Sequence, residues 1–153
     1  MSYTLQEARE ALVDDLRPVV ERLASALACL TEAYEAMDDQ SADRLEEELF
    51  GPVRSAYGRT RRALGDFTAR HGLPAPDIGQ PASSGPHSAD SRIYLQRGID
   101  ATSHAEAAIA ELQDSMLPVE AGDRELRTDL SEIRGLLAPV PARAQQLLRT
   151  LGR

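Results

Sequence analysis

Three polar side chains in one predicted helix have the types and spacing needed for acid–base chemistry. Arg97, Asp100 and His104 recur at steps of three and four residues, which places them on one face of an α-helix. A His can exchange a proton near neutral pH, and Asp100 would favour the charged form of His104. The apolar positions of the same helix lie on another face. We therefore expect these three side chains to meet solvent or a partner subunit.

Arg97 and His104 have six residues between them, and this spacing resembles the Arg-x(4–6)-His motif of the HEPN ribonucleases, which are all-helical and usually dimeric. The resemblance implies RNA cleavage, or a place in a toxin–antitoxin pair, with these two residues as catalytic groups. It covers two of the 153 residues, and Gly98 stands where that family has a functional polar residue. The alternative, which the sequence favours, is a solvated row of ion pairs.

The other residues suited to metal or covalent chemistry lack partners in the sequence. The chain has no Glu-x-x-His pair of the kind that a di-iron helical bundle needs. His71 and His87 flank the same linker, but no third zinc ligand accompanies them. Cys29 falls beside core positions with no base near it, which indicates a buried filler and not a nucleophile. We predict no metal and no cofactor.

The composition is typical of a soluble, acidic, cytoplasmic protein. A net charge of −8 disfavours binding to nucleic acid and to anionic membranes. No apolar run approaches the roughly 20 residues that a membrane span needs, and residues 1–12 lack the apolar run of a signal peptide. A single Cys is compatible with a reducing cytoplasm. All 17 basic residues are Arg, which we interpret as the codon usage of a GC-rich bacterial genome.

Four helices are predicted from the steps of three and four at which apolar residues recur. Their ranges are about 5–37, 42–71, 89–117 and 123–152. Thr4 and Glu7 form a capping box at the first helix, and Ser41 is the expected N-cap of the second. Gly72 ends the second helix. The apolar stripe of the first helix comprises Leu12, Leu16, Val19, Leu23, Leu27, Leu30, Tyr34 and Met37.

The connections between the helices predict their arrangement. Turns at 38–41 and 118–122 are short, and short turns force antiparallel neighbours. Segment 72–88 is rich in Pro, Gly and Ser and cannot be helical. We therefore predict a single domain, 1–153, with the all-α fold of an antiparallel four-helix bundle. It is built from two αα-hairpins, 4–71 and 89–152, joined by the crossover 72–88.

Pro18, Pro52 and Pro139 lie inside predicted helices, where a proline removes a backbone hydrogen bond and kinks the helix. Pro18 and Pro139 fall at similar heights, roughly 20 Å from one end of the bundle. This suggests a waist that leaves a small apolar cavity, and one hypothesis is that the cavity binds an apolar ligand. Tolerated kinks within a well-packed core are the alternative, and the sequence favours that alternative.

The charges are unevenly distributed along the chain, which predicts two poles. The second and fourth helices are expected to run in the same direction, so that their Arg-rich C-terminal ends meet. The opposite pole would collect the acidic residues of 35–48 and 114–125. Two binding surfaces are one interpretation; the other, which we favour, is that charges match the helix dipoles.

From these patterns we predict a noncatalytic protein-interaction or structural module that forms a homodimer. A second apolar edge on the first helix supports the dimer, because long Ala-rich helices often keep such an edge for a partner. The edge comprises Ala8, Ala11, Val20, Ala24 and Ala28. The alternatives are a ribonuclease that uses Arg97 and His104, and a carrier of a small apolar ligand.

Overall fold

The protein is described by a computed structural model that covers residues 4–78 and 82–151. Within these ranges the chain is all-helical, with no strand, as predicted. The α-helices are α1 (Leu5–Glu35), α2 (Asp39–Leu45), α3 (Gly51–Arg70), α4 (Ser91–Asp114), α5 (Leu117–Glu120), α6 (Arg124–Leu137) and α7 (Val140–Thr150). A π-helical turn, Glu46–Phe50, joins α2 to α3 without a break.

Local side-chain hydrogen bonds fix the helix ends. The capping box of α1 is confirmed, because the Thr4 hydroxyl accepts from the Glu7 amide at 3.1 Å and the Glu7 carboxylate accepts from the Thr4 amide at 3.2 Å. The N-cap predicted for the second helix is wrong: Asp38, and not Ser41, caps α2. The Asp38 carboxylate accepts from both the amide and the hydroxyl of Ser41, so the helix begins three residues earlier than expected.

The third predicted helix is shorter than expected at both ends. Asp90 caps α4 at its start, and α4 ends at Asp114. The predicted turn at 118–122 contains the short helix α5, which begins directly before Pro118. Pro118 occupies the first turn of α5, where its missing N–H costs nothing. Gly122 then takes a φ of +67°, which lets the chain reverse into α6.

Antiparallel packing of α1 on α4 forms one side of the core. A Cβ added at Gly98 of α4 would lie 3.1 Å from Leu30, near the C-terminal end of α1. Near the other end, Asp15 of α1 and Glu111 of α4 line one groove. Most of the predicted core positions are buried or half-buried, but Tyr34 is 40% exposed and Met116 is 60% exposed.

The packing of α3 on α6 is also antiparallel, and this overturns the predicted charge poles. Arg70 at the end of α3 pairs with Asp123 at the start of α6, and Arg59 pairs with Glu132. Arg143 of α7 reaches the carbonyl of Glu48 at the other end. The second and fourth predicted helices therefore run in opposite directions. The described parts of the linker lie at different heights on α1, since Leu73 and Pro74 face Asp14 whereas Ser84 contacts Cys29.

The three prolines interrupt their helices to different degrees. Pro18 lies inside α1, which continues past it. Pro52 directly follows the π-helical turn and occupies the first turn of α3. Pro139 separates α6 from α7. In the linker, residues 73–78 and 82–90 are irregular, and the predicted breakers Gly79 and Pro81 lie outside the described residues.

Candidate functional site

Arg97 fastens the linker to α4. Its guanidinium donates to the carbonyl of Ser84 at 3.0 Å and to that of Pro86 at 2.7 Å. It also lies over the ring of Tyr94, 5.2 Å from the centroid. The Tyr94 hydroxyl in turn accepts from the amide of Ser88 at 2.8 Å. This residue, a candidate only for the ribonuclease alternative, therefore has its donors directed at backbone carbonyls of the linker.

Cys29 lies beneath the same stretch of linker. Its thiol is buried and lies 3.7 Å from the carbonyl oxygen of Ser84. Burial raises the pKa of the Cys29 thiol; Arg97 acts to lower it and Glu32 to raise it further. A buried thiol that is held protonated is a poor nucleophile.

The other two predicted site residues face different partners. His104 Nδ1 lies 3.2 Å from a guanidinium nitrogen of Arg22 on α1. Because Arg can only donate, this bond requires a neutral His104 with its proton on Nε2. Asp100 accepts from the side-chain amide of Gln96 at 3.1 Å. The three residues share a helix face as predicted, yet each is bonded to a group outside the trio.

Gly98 is explained by packing. It is buried, and an added Cβ would lie 3.1 Å and 3.3 Å from two side-chain carbons of Leu30. Such distances are tighter than most van der Waals contacts, so an added Cβ would require Leu30 to move by a few tenths of an ångström. Gly98 is therefore a point of close approach between α1 and α4.

A charged cluster that sequence analysis missed joins α3 to α6. Asp123 accepts from the Nε and Nη2 of Arg70 at 2.9–3.0 Å and lies 2.6 Å from His71 Nε2. Its carboxylate also accepts from the amide of Leu126, which makes it the N-cap of α6. Phe67 covers the His71 ring in an edge-on contact with centroids 4.8 Å apart. We call Arg70, His71 and Asp123 the junction cluster.

The environment of Asp123 stabilises its charged form. Burial, which is nearly complete, acts to raise its pKa, but hydrogen bonds from Leu126, His71 and Arg70 outweigh it and the pKa is lowered. His71 and Asp123 are 52 positions apart in the sequence, so no local sequence pattern indicates that they meet. His87, the other predicted metal candidate beside the linker, is exposed.

An open groove lies on the outer side of the contact between α1 and α4. It has a volume of about 330 Å³. Pro18 of α1 and Ala108 of α4 face it, and neither Pro52 nor Pro139 lines it. Two carboxylates, Asp15 and Glu111, stand at its rim. The complete lining is Asp15, Pro18, Ala108, Glu111, Leu112, Ser115 and Leu117, and we call this the outer groove.

Comparison with known proteins gives no family assignment: no family model, curated protein or solved structure matches this chain. Among the residues that the structure describes, no three His, Cys, Asp or Glu side chains are placed to hold a metal ion. None of the helices in the same residues combines the length and the apolar character needed to cross a membrane.

Proposed function

We propose that this chain is a noncatalytic protein-interaction module of the cytoplasm. Its helices would form an antiparallel four-helix bundle of two αα-hairpins, bent near Pro18, Pro52 and Pro139. The proposed interaction function rests on one observation: Leu5, Met116 and Val119 are 51%, 60% and 51% exposed. Large apolar side chains exposed together are typical of binding surfaces.

These three side chains belong to one end of the molecule. The guanidinium of Arg9 donates to the carbonyl of Ala121, directly after α5, at 3.3 Å. Leu5 lies one helical turn before Arg9 on the same face of α1. Met116 and Val119 belong to α5 and its N-cap. We call Leu5, Met116 and Val119 the α5 face.

The contacts of Arg97 and His104, the candidate residues of the ribonuclease alternative, support a noncatalytic function. Arg97 is engaged with the linker, and His104 with Arg22. A nuclease would need both side chains directed at one phosphate. The position of Arg97 and His104 on one face of α4 is the one observation that still favours a ribonuclease.

A homodimer remains part of the proposal. Ala8 and Val20, two members of the edge expected to form the dimer contact, are fully buried within the monomer. The other three members, Ala11, Ala24 and Ala28, are partly exposed. A dimer contact on this face of α1 would therefore use only these three residues of the expected edge.

An RNA-cleavage assay on wild-type protein and an Arg97→Ala/His104→Ala variant tests the noncatalytic function. We expect no cleavage by either protein. Arg97→Ala alone should instead speed the labelling of Cys29, the only Cys of the chain, because the linker above it loses two hydrogen bonds. Arg92→Ala, an exposed Arg on the same helix, is the matched control. RNA cleavage that the double variant abolishes would overturn the proposal.

Native mass spectrometry of freshly purified protein tests the proposed homodimer and the alternative of a ligand carrier. A dimer mass would support self-association, and a monomer mass would limit the proposal to a different protein as partner. A small apolar molecule retained at one copy per chain would contradict the proposal and favour the ligand carrier.

A further inference from the structure

We propose that the outer groove and the α5 face together bind an amphipathic helix of a partner protein that carries Lys or Arg beside its apolar stripe. The inference rests on the proposed interaction function and names the chemistry of the partner. The aliphatic stem of one Lys or Arg lies in the outer groove, and its charged head lies between Asp15 and Glu111. The apolar side chains of the partner cover the α5 face.

The shape of the outer groove suits a single long side chain. Pro18 and Ala108 are short and leave space between α1 and α4, while Leu112 and Leu117 provide apolar walls. A volume of about 330 Å³ is at the small end of the range for ligand pockets. Lys and Arg bury their methylene stems against apolar surface while the charge stays near water.

The rim of the groove carries negative charge that the chain itself leaves uncompensated. Within residues 4–78 and 82–151, neither Asp15 nor Glu111 takes part in a salt bridge. Partial burial, followed by the charges of Asp14 and Glu111, raises the pKa of Asp15. A cation placed between Asp15 and Glu111 would relieve this repulsion.

The apolar surface continues directly from the groove. Ser115 and Leu117 line the groove, and Met116 stands exposed between them in the chain. Val119 is exposed about one turn further along α5, and Leu5 is exposed at the start of α1. A partner that covers both parts needs an apolar stripe with a basic flank, which is the pattern of a basic amphipathic helix.

Charge decides between a basic partner and the other possible occupants. A two-fold contact between two copies would bring Asp15 and Glu111 of both copies into one interface, in a chain of net charge −8. An anionic membrane would be repelled by the same carboxylates. A basic helix gains from both the apolar surface and the acidic rim.

Synthetic peptides of about 14 residues, near the length of an average protein helix, provide the test. One peptide carries Leu at helical steps of three and four with Lys elsewhere, and the matched peptide carries Glu in place of Lys. A single Trp in each peptide reports binding without background, because the protein has no Trp. We expect binding of the Leu/Lys peptide alone.

Variants locate the binding site. Asp15→Asn/Glu111→Gln should weaken binding of the Leu/Lys peptide about tenfold, because two charge pairs are lost. Asp43→Asn/Glu47→Gln removes the same charges from exposed positions on α2 and the π-helical turn, and should change binding less than about twofold. Ala108→Leu fills the outer groove without changing the charge of the protein. The Lys side chain then has no room in the groove, and the preference for the Leu/Lys peptide over the Leu/Glu peptide should be lost. Circular dichroism shows that each variant is folded.

Two results would overturn the inference: equal binding of the Leu/Lys and Leu/Glu peptides, or an equal loss of affinity in the groove variant and its control. Either result would leave the noncatalytic function intact, since RNA cleavage and subunit mass test that separately. The surface substitutions at Asp15 and Glu111 keep the test decisive even if Ala108→Leu does not fold.

Discussion

Asp123 connects two helices through three kinds of bond. It caps α6 through the amide of Leu126, pairs with Arg70 through two nitrogens and contacts His71. Its side chain is only 4% exposed, so water cannot replace these partners. At the scale of residues, the junction cluster is the polar site on which stability depends most.

Replacing Asp123 separates its cap from its charge. Asp123→Asn keeps an N-cap side chain but loses the ion pair, and we expect a loss of about 2 kcal/mol in the free energy of unfolding. Asp123→Ala removes the cap as well and should cost about 1 kcal/mol more. Asp66→Asn, at an exposed position of α3, is the control and should change stability by less than about 0.5 kcal/mol. Urea denaturation gives these energies.

The lowered pKa of Asp123 predicts that the stability of the protein depends on pH in the acidic range. Folding lowers the pKa of Asp123, so its contribution is complete above the ordinary Asp pKa of about 4 and is lost as pH falls through the lower folded value. The difference in unfolding free energy between wild type and Asp123→Asn should therefore shrink from about pH 5 towards pH 2.5. A constant difference over that range would contradict this account of the junction cluster.

At the scale of elements, the π-helical turn is explained by the proline that follows it. Pro52 has no N–H to donate to the carbonyl of Glu48, which its backbone would bond in a regular helix. Arg143 of α7 donates to that carbonyl instead, at 3.2 Å. The turn also closes with a bond from the amide of Gly51 to the carbonyl of Glu46, five residues back. A side chain of α7 thereby supplies the hydrogen bond that Pro52 removes from the Glu48 carbonyl.

A double-mutant cycle tests this compensation. Arg143→Ala should destabilise the wild-type protein by about 1 kcal/mol, since it leaves the Glu48 carbonyl without its donor. In a Pro52→Ala background, the restored amide should make the same substitution nearly neutral, which gives a coupling energy of about 1 kcal/mol. Thermal denaturation of the four proteins measures it. Equal effects of Arg143→Ala in both backgrounds would show that the contact contributes nothing.

Two helical glycines make a matched pair for the packing of α1 on α4. Gly98→Val places a branched side chain against Leu30 and should cost about 2 kcal/mol or more. Gly135→Ala, where an added Cβ meets nothing within 4 Å, should stabilise α6 by about 0.5–1 kcal/mol. Chemical denaturation compares both with wild type. The two substitutions should change the free energy of unfolding in opposite directions, because the space beside the two Cα atoms differs.

At the scale of the whole molecule, each half of the chain depends on the other. The N-terminal half supplies α1 and α3, and their buried faces pack on α4 and α6 of the C-terminal half. The linker lies between the halves and is fastened by Arg97. Contacts within the N-terminal half leave much of α1 uncovered.

Fragments of the chain test this dependence. Residues 1–78 and 79–153, produced separately, should show low helical content, because apolar faces without partners do not hold long helices in water. Mixing the fragments should restore the helical signal in far-UV circular dichroism. A first fragment that unfolds cooperatively by itself would contradict the prediction and indicate an independent hairpin.

Local sequence patterns predicted the helical class and the main helices, but not α5, the π-helical turn or the separation of α6 from α7. Helical periodicity, the capping box at Thr4 and the breakers around 72–88 are local signals, and local backbone preferences act within a few residues. The helical class and most of the core positions were predicted for this reason. The N-cap of α2 was misassigned because Asp38 and Ser41 are both good caps, and only the hydrogen bonds distinguish them.

Tertiary structure alone decided which residues meet. No local sequence pattern indicates that His71 lies beside Asp123. Nor does one indicate that Arg97 donates to the linker while His104 contacts Arg22. The direction of the last helices depended on how far the linker travels, and periodicity carries no information about that direction. Burial of Asp123 and the opening of the outer groove likewise follow from packing between distant segments, where side-chain size and charge are matched only after the chain has folded.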